Sequence, residues 1–201
     1  MFPAPAWDYS LQLFFNQELR SPVLDVVLPL FSSRALLFAI LSGLLVWRCA
    51  KLGKSQALYF ILLVLCMGAS DLATNQVKHA VGRVRPEHSI AGTYYQQTGT
   101  WQRLPADFRQ EKERGPSFPS AHAANSAALA VLAALLWPRL RRSTWALPAV
   151  VGWSRLYLGK HFPTDVIGGW ALGIVVALLF WQLWKVASRR MSVSCGPGPA
   201  Y

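Results

Sequence analysis

The chain has 201 residues, of which 53% are apolar and only 14% charged, with a formal net charge of +11. The length suits one domain, and so few charges, against roughly 25% in soluble domains, argue against a water-soluble enzyme. The basic excess does not signal nucleic acid, because the cations sit in short loops between apolar runs, as the positive-inside rule expects.

In chain order, Trp7–Leu19 comes first. It places Trp7, Leu11, Phe14 and Phe15 on one helical face and Asp8, Gln12 and Asn16 elsewhere, which predicts an interfacial helix in the headgroup plane. Ser21-Pro22 reads as an N-cap and a first-turn proline opening a short helix that Asp25 and Pro29 make a poor full span. Five membrane helices follow, near Ser33–Cys49, Gln56–Val77, Ala121–Trp137, Trp145–Leu158 and Val166–Trp184. Several are shorter than the roughly 20 residues that cross a bilayer. The polar stretch between Pro86 and Pro119 is too long for a mere connection, so either a lid or substrate-reading loop or a solvated, partly disordered one is expected. Met191–Tyr201, with its Gly-Pro-Gly-Pro, reads as a disordered tail. No basic segment precedes Arg20, so no cleaved signal peptide is expected. Cys49, Cys66 and Cys195 give no disulfide framework.

Charge sidedness orients the bundle. Arg48, Lys51, Lys54, Arg139, Arg141, Arg142, Lys185, Arg189 and Arg190 lie at one set of helix ends with no acid among them. That side is expected to be cytoplasmic, and the opposite side periplasmic or extracellular.

Three short pieces on that opposite side carry chemistry. Lys78 through Arg85-Pro86 spells K-x6-R-P, Pro119-Ser120-Ala121-His122 spells P-S-A-H, and Ser154-Arg155 with His161 and Asp165 spells S-R-x5-H-x3-D. Lys78, Arg85 and Arg155 are fixed cations of the kind that lower the barrier to phosphoryl transfer. Ser120 and the N–H groups around Ala121, at a helix N-terminus, make an anion site. His122, one turn in, can protonate a leaving alkoxide and then deprotonate water. His161 can present one ring nitrogen to phosphorus while Asp165 accepts from the other, although Asp165 could equally cap the last helix. Arg83, outside the pattern, is expected to be a snorkelling headgroup-level cation. Asp71 and Asn75 share a helical face with Lys78. Asp71 either holds Lys78 or another buried cation in place, or makes a helix-packing hydrogen bond with no catalytic part.

The three pieces, in this order, resemble the tripartite signature of the type 2 phosphatidic acid phosphatase superfamily, with Ala121 where the family has Gly. The resemblance covers Lys78 to Asp165. The family's membrane members commonly have six spans, from which the five read here plus an N-terminal interfacial element depart. The expected fold is an all-α integral membrane bundle of five to six spans with an N-terminal interfacial helix, one phosphatase domain over residues 1–190, in a multi-pass place in a bacterial inner membrane. The resemblance implies that His161 attacks phosphorus and forms a phosphohistidine, that His122 acts as acid and then base, and that Asp165 orients the nucleophile. Lys78, Arg85, Ser120, Ala121 and Arg155 would hold the phosphate, with no metal or other cofactor. The partner would be a membrane lipid, with no nucleic acid; members similar to this chain act on undecaprenyl pyrophosphate, phosphatidylglycerophosphate, phosphatidate or lipid A. Two other functions fit the residues. His161 and Asp165 have i,i+4 ligand spacing, and His79, His88 and His122 could complete a metal site, although the cations would repel the metal. A polyprenyl-phosphate carrier or flippase could use the same phosphate pocket without hydrolysis.

Overall fold

A computed structural model describes residues 5–110 and 112–194, and the protein is predominantly helical. Helix α1 spans Ala6–Leu13 and runs on as a π-helical turn over Phe14–Glu18. Helix α2 spans Pro22–Leu30. Its cap is the one expected: the Ser21 hydroxyl accepts from the Leu24 N–H at 3.2 Å, and Pro22 opens the first turn. The longer helices are α3 (Arg34–Leu52), α4 (Gln56–Val81), α5 (Ala121–Leu136), α6 (Ala146–Tyr157) and α7 (Pro163–Ser194). Helices cover all five of the segments expected to span the membrane.

Three segments, Ala35–Leu52, Gln56–His88 and Pro163–Arg190, are long and apolar enough to cross a membrane by length and composition. Helix α5 is apolar but shorter, and α6 has only 12 residues. Large apolar side chains such as Leu65, Leu72, Leu179 and Leu183 are exposed along α4 and α7, a surface that water would not favour. Helix α7 continues to Ser194, past the expected start of the tail at Met191, and residues 195–201, with Cys195, lie outside those described. Cys49 and Cys66 are free thiols.

Helix α5 is the centre of the bundle and packs against α4, α6 and α7. Phe60, Leu63 and Cys66 of α4 meet Leu129 and Leu132 of α5 and Ala177 of α7 in the core. Helices α5 and α7 approach with almost no side chain between them. A Cβ on Gly173 would lie 2.1 Å from the Ala124 carbonyl oxygen, and one on Gly169 would lie 2.5 Å from that of Ser120. This backbone-to-backbone contact sets the second motif beside the third.

The all-α expectation needs one correction. The segment between Pro86 and Pro119 contains an antiparallel hairpin, β1 (Tyr94–Gln97) with β2 (Thr100–Arg103). Its two-residue turn, Thr98 and Gly99, has φ of 50° and 85°, the left-handed pair that a tight hairpin needs. The hairpin leans on the α6–α7 turn at Gly159, where φ is 65° and a Cβ would come within 2.7 Å of the Tyr94 carbonyl oxygen.

Helix α1 is oriented the opposite way to an amphipathic helix on a soluble protein. Asp8, Gln12 and Asn16, one helical stripe, are fully buried, while Trp7, Leu11 and Phe14 are exposed. Gln12 Nε2 donates to the Leu156 carbonyl at 3.0 Å. Asn16 Nδ2 donates to the Tyr94 and Tyr157 carbonyls, and its Oδ1 accepts from the Tyr94 N–H at 2.8 Å. The polar stripe therefore ties α1 to α6 and the hairpin.

Candidate active site

The C-terminal ends of α4 and α6 and the N-terminal ends of α5 and α7 converge, and each carries a piece of a motif. Ser120 is the α5 N-cap: its hydroxyl accepts from the Ala123 N–H at 3.4 Å. That leaves the hydroxyl proton available for a further acceptor. The Ser120 N–H donates to the Asp165 carbonyl at 2.9 Å, which joins the two helix starts directly.

His161 lies in the α6–α7 turn and is 1% exposed. Its Nδ1 sits 2.8 Å from the Ser117 carbonyl oxygen. A carbonyl only accepts, so Nδ1 carries the proton and Nε2 keeps its lone pair. Burial, reinforced by the Arg155 and Arg85 charges, holds the imidazolium well below its usual range, down to about 4, while Asp165 pulls the other way. The ring is thus neutral at neutral pH, the form a nucleophile needs.

Asp165 is fully buried and does not make the hydrogen bond expected of it. Its Oδ2 is 3.7 Å from His161 Nδ1, and the bond that fixes the tautomer goes to the Ser117 carbonyl instead. Oδ2 accepts from the Ser117 hydroxyl at 2.6 Å and from the Phe162 N–H at 2.8 Å. Asp165 therefore anchors both the residue that holds the ring and the residue that follows it. The bond to Phe162 also makes it a capping acid in the first turn of α7, so of the two readings of this residue the capping one describes a direct contact and the ring-accepting one does not.

Arg83 corrects a second expectation. It is not a snorkelling cation but is 4% exposed. One terminal nitrogen donates to Asp165 Oδ1 at 2.7 Å and to Thr164 Oγ1 at 2.6 Å, and the other to Asp8 Oδ2 at 2.6 Å. Its guanidinium carbon lies 3.9 Å from the Phe162 ring centroid. Ser117, Arg83, Thr164 and Asp8 are the residues of this site that motif reasoning missed. Ser117 stands two residues before Pro119 and Arg83 two before Arg85, so a search of the motif flanks for hydrogen-bonding side chains would have found those two.

Arg85 pairs with Glu87 at 3.5 Å, and its Nε is buried with no hydrogen-bond partner, a donor available to an anion. Arg155 is 7% exposed, and the Lys160 N–H donates to its carbonyl at 3.1 Å, which places it at the His161 turn. Ser154 of the same motif faces away from the site: its hydroxyl meets that of Ser32 at 2.6 Å and donates to the Leu28 carbonyl at 2.6 Å, which fastens α2. Lys78 lies one turn before the end of α4, and Asn75, a turn earlier, is exposed.

His122 and Ala121 line a cavity of about 310 Å³. Asp71 and Asn125 share its polar end, and Phe31, Leu37, Met67 and Val151 are among its apolar walls. Asp71 accepts from Asn125 Nδ2 at 3.3 Å, the packing bond between α4 and α5 that was one of its two readings. A second cavity of about 360 Å³ opens between the hairpin segment and the α6–α7 turn, with Glu87, His88, Gln96, Lys112 and Lys160 in its lining. Glu87, 4% exposed, is ion-paired to Lys160 there.

The chain is similar to several bacterial phosphatases. Lipid A 1-phosphatase of Rhizobium johnstonii is 32% identical over 154 residues, which cover 75% of this chain and 59% of that protein's length. Lipid A 4'-phosphatase of Bacteroides thetaiotaomicron is 30% identical over 203 residues, covering 95% of this chain and 83% of the relative. Phosphatidylglycerophosphatase B of Escherichia coli is 41% identical over 92 residues, 43% of this chain and 34% of the relative. The fold resembles the crystal structure of Aquifex aeolicus LpxE with a TM-score of 0.67 at 21% identity, over 90% of this chain and 99% of that one. A family model described as the PAP2 superfamily matches residues 59–189, across all three motifs, and the chain belongs to that superfamily.

Proposed function

We propose that the protein is a membrane lipid phosphatase that removes a terminal phosphate or pyrophosphate through a phosphohistidine on His161. One observation carries the reading: a buried, neutral His161, its Nδ1–H committed to the Ser117 carbonyl, stands among the charges of Arg85 and Arg155. That is a fixed nucleophile beside cations suited to the equatorial oxygens of a transferring phosphoryl group. In the first step Nε2 forms a bond to phosphorus as the bond to the leaving oxygen breaks, and the His122 imidazolium gives that oxygen its proton. In the second, His122 takes a proton from water, the hydroxide attacks phosphorus, and the N–P bond breaks to release phosphate. Lys78, Arg85, Arg155, the Ser120 hydroxyl and the α5 N-terminal N–H groups around Ala121 hold the anion. The cavity at His122 has the apolar walls that a lipid chain requires. The relatives named as lipid A and phosphatidylglycerophosphate phosphatases support the same class of substrate. The second cavity and the hairpin segment beside it would read the polar headgroup.

No metal enters this scheme. The donors at the site are cationic, and among the described residues no three His, Cys, Asp or Glu side chains gather to ligate an ion. Phosphate release from purified lipid phosphates in detergent should persist in excess EDTA and fall with vanadate, a mimic of the five-coordinate transition state. Loss of activity on chelation that zinc or magnesium restores would overturn the metal-free scheme. Lipid binding without phosphate release would favour a carrier. A panel of lipid A, phosphatidylglycerophosphate, phosphatidate and undecaprenyl pyrophosphate in the same assay names the substrate.

Charge sidedness further supports a five- to six-span protein of the bacterial inner membrane whose site faces the periplasm or exterior. In a cysteine-free background, a cysteine at Ser89 should react with an impermeant maleimide in intact cells or spheroplasts, and one at Ser143 only after lysis. The reverse pattern would invert the orientation.

A further inference from the structure

Asp8 lies far upstream of the three motifs, on the segment that sequence reasoning assigned to the membrane surface. It is 0% exposed. Its Oδ2 accepts from Arg83 at 2.6 Å and from the Thr164 hydroxyl at 2.7 Å, and its Oδ1 accepts from the Thr164 N–H at 2.9 Å. Arg83 in turn holds Asp165 Oδ1, and the other oxygen of Asp165 stands 3.7 Å from His161 Nδ1. Two buried carboxylates thus share one guanidinium beneath the ring.

We infer that Asp8 is a positioning residue for His161, acting through Arg83 and Asp165 to keep the cluster beneath the imidazole net negative. When Nε2 bonds to phosphorus while Nδ1 keeps its proton, the ring becomes cationic. An Arg83–Asp165 pair alone is neutral and offers that cation little. With Asp8 the cluster carries one negative charge in a region closed to water, where fixed charge acts over longer range than in solvent. Asp8 also holds the first turn of α7 by its backbone, at Thr164, and so fixes where Asp165 stands. A residue that only fastened α1 would need a hydrogen-bond acceptor here but not a charge. This inference rests on the phosphohistidine reading.

The test uses the full chain in detergent. Asp8→Asn keeps the shape and the acceptor for the Thr164 N–H and removes the charge. Its kcat should fall about 10–100-fold, less than the 10²–10³ typical of a donor that touches the reacting oxygen. Its KM should stay within about twofold, and phosphoenzyme formation in a single turnover should slow by the same factor as kcat. Asp8→Glu, which keeps the charge, should retain more activity than Asp8→Asn. A kcat in Asp8→Asn within twofold of the unaltered protein, or a loss confined to KM, overturns the inference. Should Asp8→Asn not accumulate as folded protein, Thr164→Val decides. It removes one donor to Asp8 and one acceptor of Arg83 while leaving all three charges and the Thr164 N–H contact. A kcat within about threefold of the unaltered protein therefore supports the inference, whereas a loss of about 10–100-fold at unchanged KM shows that hydrogen-bonded placement and not charge is what counts, and overturns it. Full turnover in His161→Ala would instead remove the phosphohistidine reading itself.

Discussion

Replacing His161 with alanine should lower phosphate release by at least about 10³-fold, the scale on which covalent catalysis fails when its nucleophile is lost. The ring is the one group in the site with a fixed, unprotonated nitrogen for phosphorus, because Nδ1 is committed to the Ser117 carbonyl. Neighbouring cations cannot substitute, since Arg85 and Arg155 have no lone pair to offer. The variant should bind vanadate more weakly, because the apical bond from Nε2 is lost while the cationic pocket remains. It should elute from size exclusion as the unaltered protein does, which separates lost chemistry from lost folding. His122→Ala should also be slow, but it should accumulate phosphoenzyme with a substrate whose leaving group needs no proton. Near-normal turnover in His161→Ala would end the phosphohistidine mechanism.

Replacing Arg83 with methionine should produce the largest loss of stability of any single cation in the chain. Methionine roughly fills the space of the arginine stem but leaves Asp8 and Asp165, both fully buried, without their shared counter-charge. Removing one partner of a buried ion pair typically costs about 3–5 kcal/mol. For a chain of this size that is a fall of about 6–20 °C in the unfolding midpoint. Lys160→Met is the contrast. The lysine side chain is 23% exposed and the buried Glu87 keeps Arg85 as a second cation, so the loss should be smaller, about 1–2 kcal/mol. Thermal unfolding of the two variants in one detergent checks the order. Equal midpoints would show that the Asp8–Arg83–Asp165 cluster is not what holds the N-terminal helix to the site.

The parts of this fold that could be read from the sequence share a property: a local signal fixes them. Helix α5 begins at Ala121 as expected because Ser120 caps it, and α2 begins at Pro22 because Ser21 caps that turn. The motif residues come together because each sits at or just beyond a helix end on one side of the bundle, which the alternating direction of successive helices dictates. Other features have no local signal. The stripe Asp8, Gln12, Asn16 is visible in the sequence, but periodicity gives only the angle between residues and not which face turns inward. In water a polar stripe would face the solvent; with lipid on the outside, burying the polar face and exposing Trp7 and Leu11 becomes the better arrangement. Arg83 was misread for a related reason, since its partners Asp8 and Thr164 are brought to it only by tertiary structure. The hairpin at Thr98-Gly99 was missed because its strands have only four residues each, too few for an alternation to stand out.

The bond between Asp8 and Thr164 spans 156 positions of sequence. A growing chain makes Asp8 long before it makes His161 and Thr164. Until α7 is in place, the carboxylate near the N-terminus has no Thr164 to accept from, and Arg83 lacks its second acid. The Asp8–Arg83–Asp165 cluster therefore closes last, when α7 meets α1. On the proposed mechanism, a chain cut short anywhere before Asp165 would lack both His161's anchor and the second acid of Arg83.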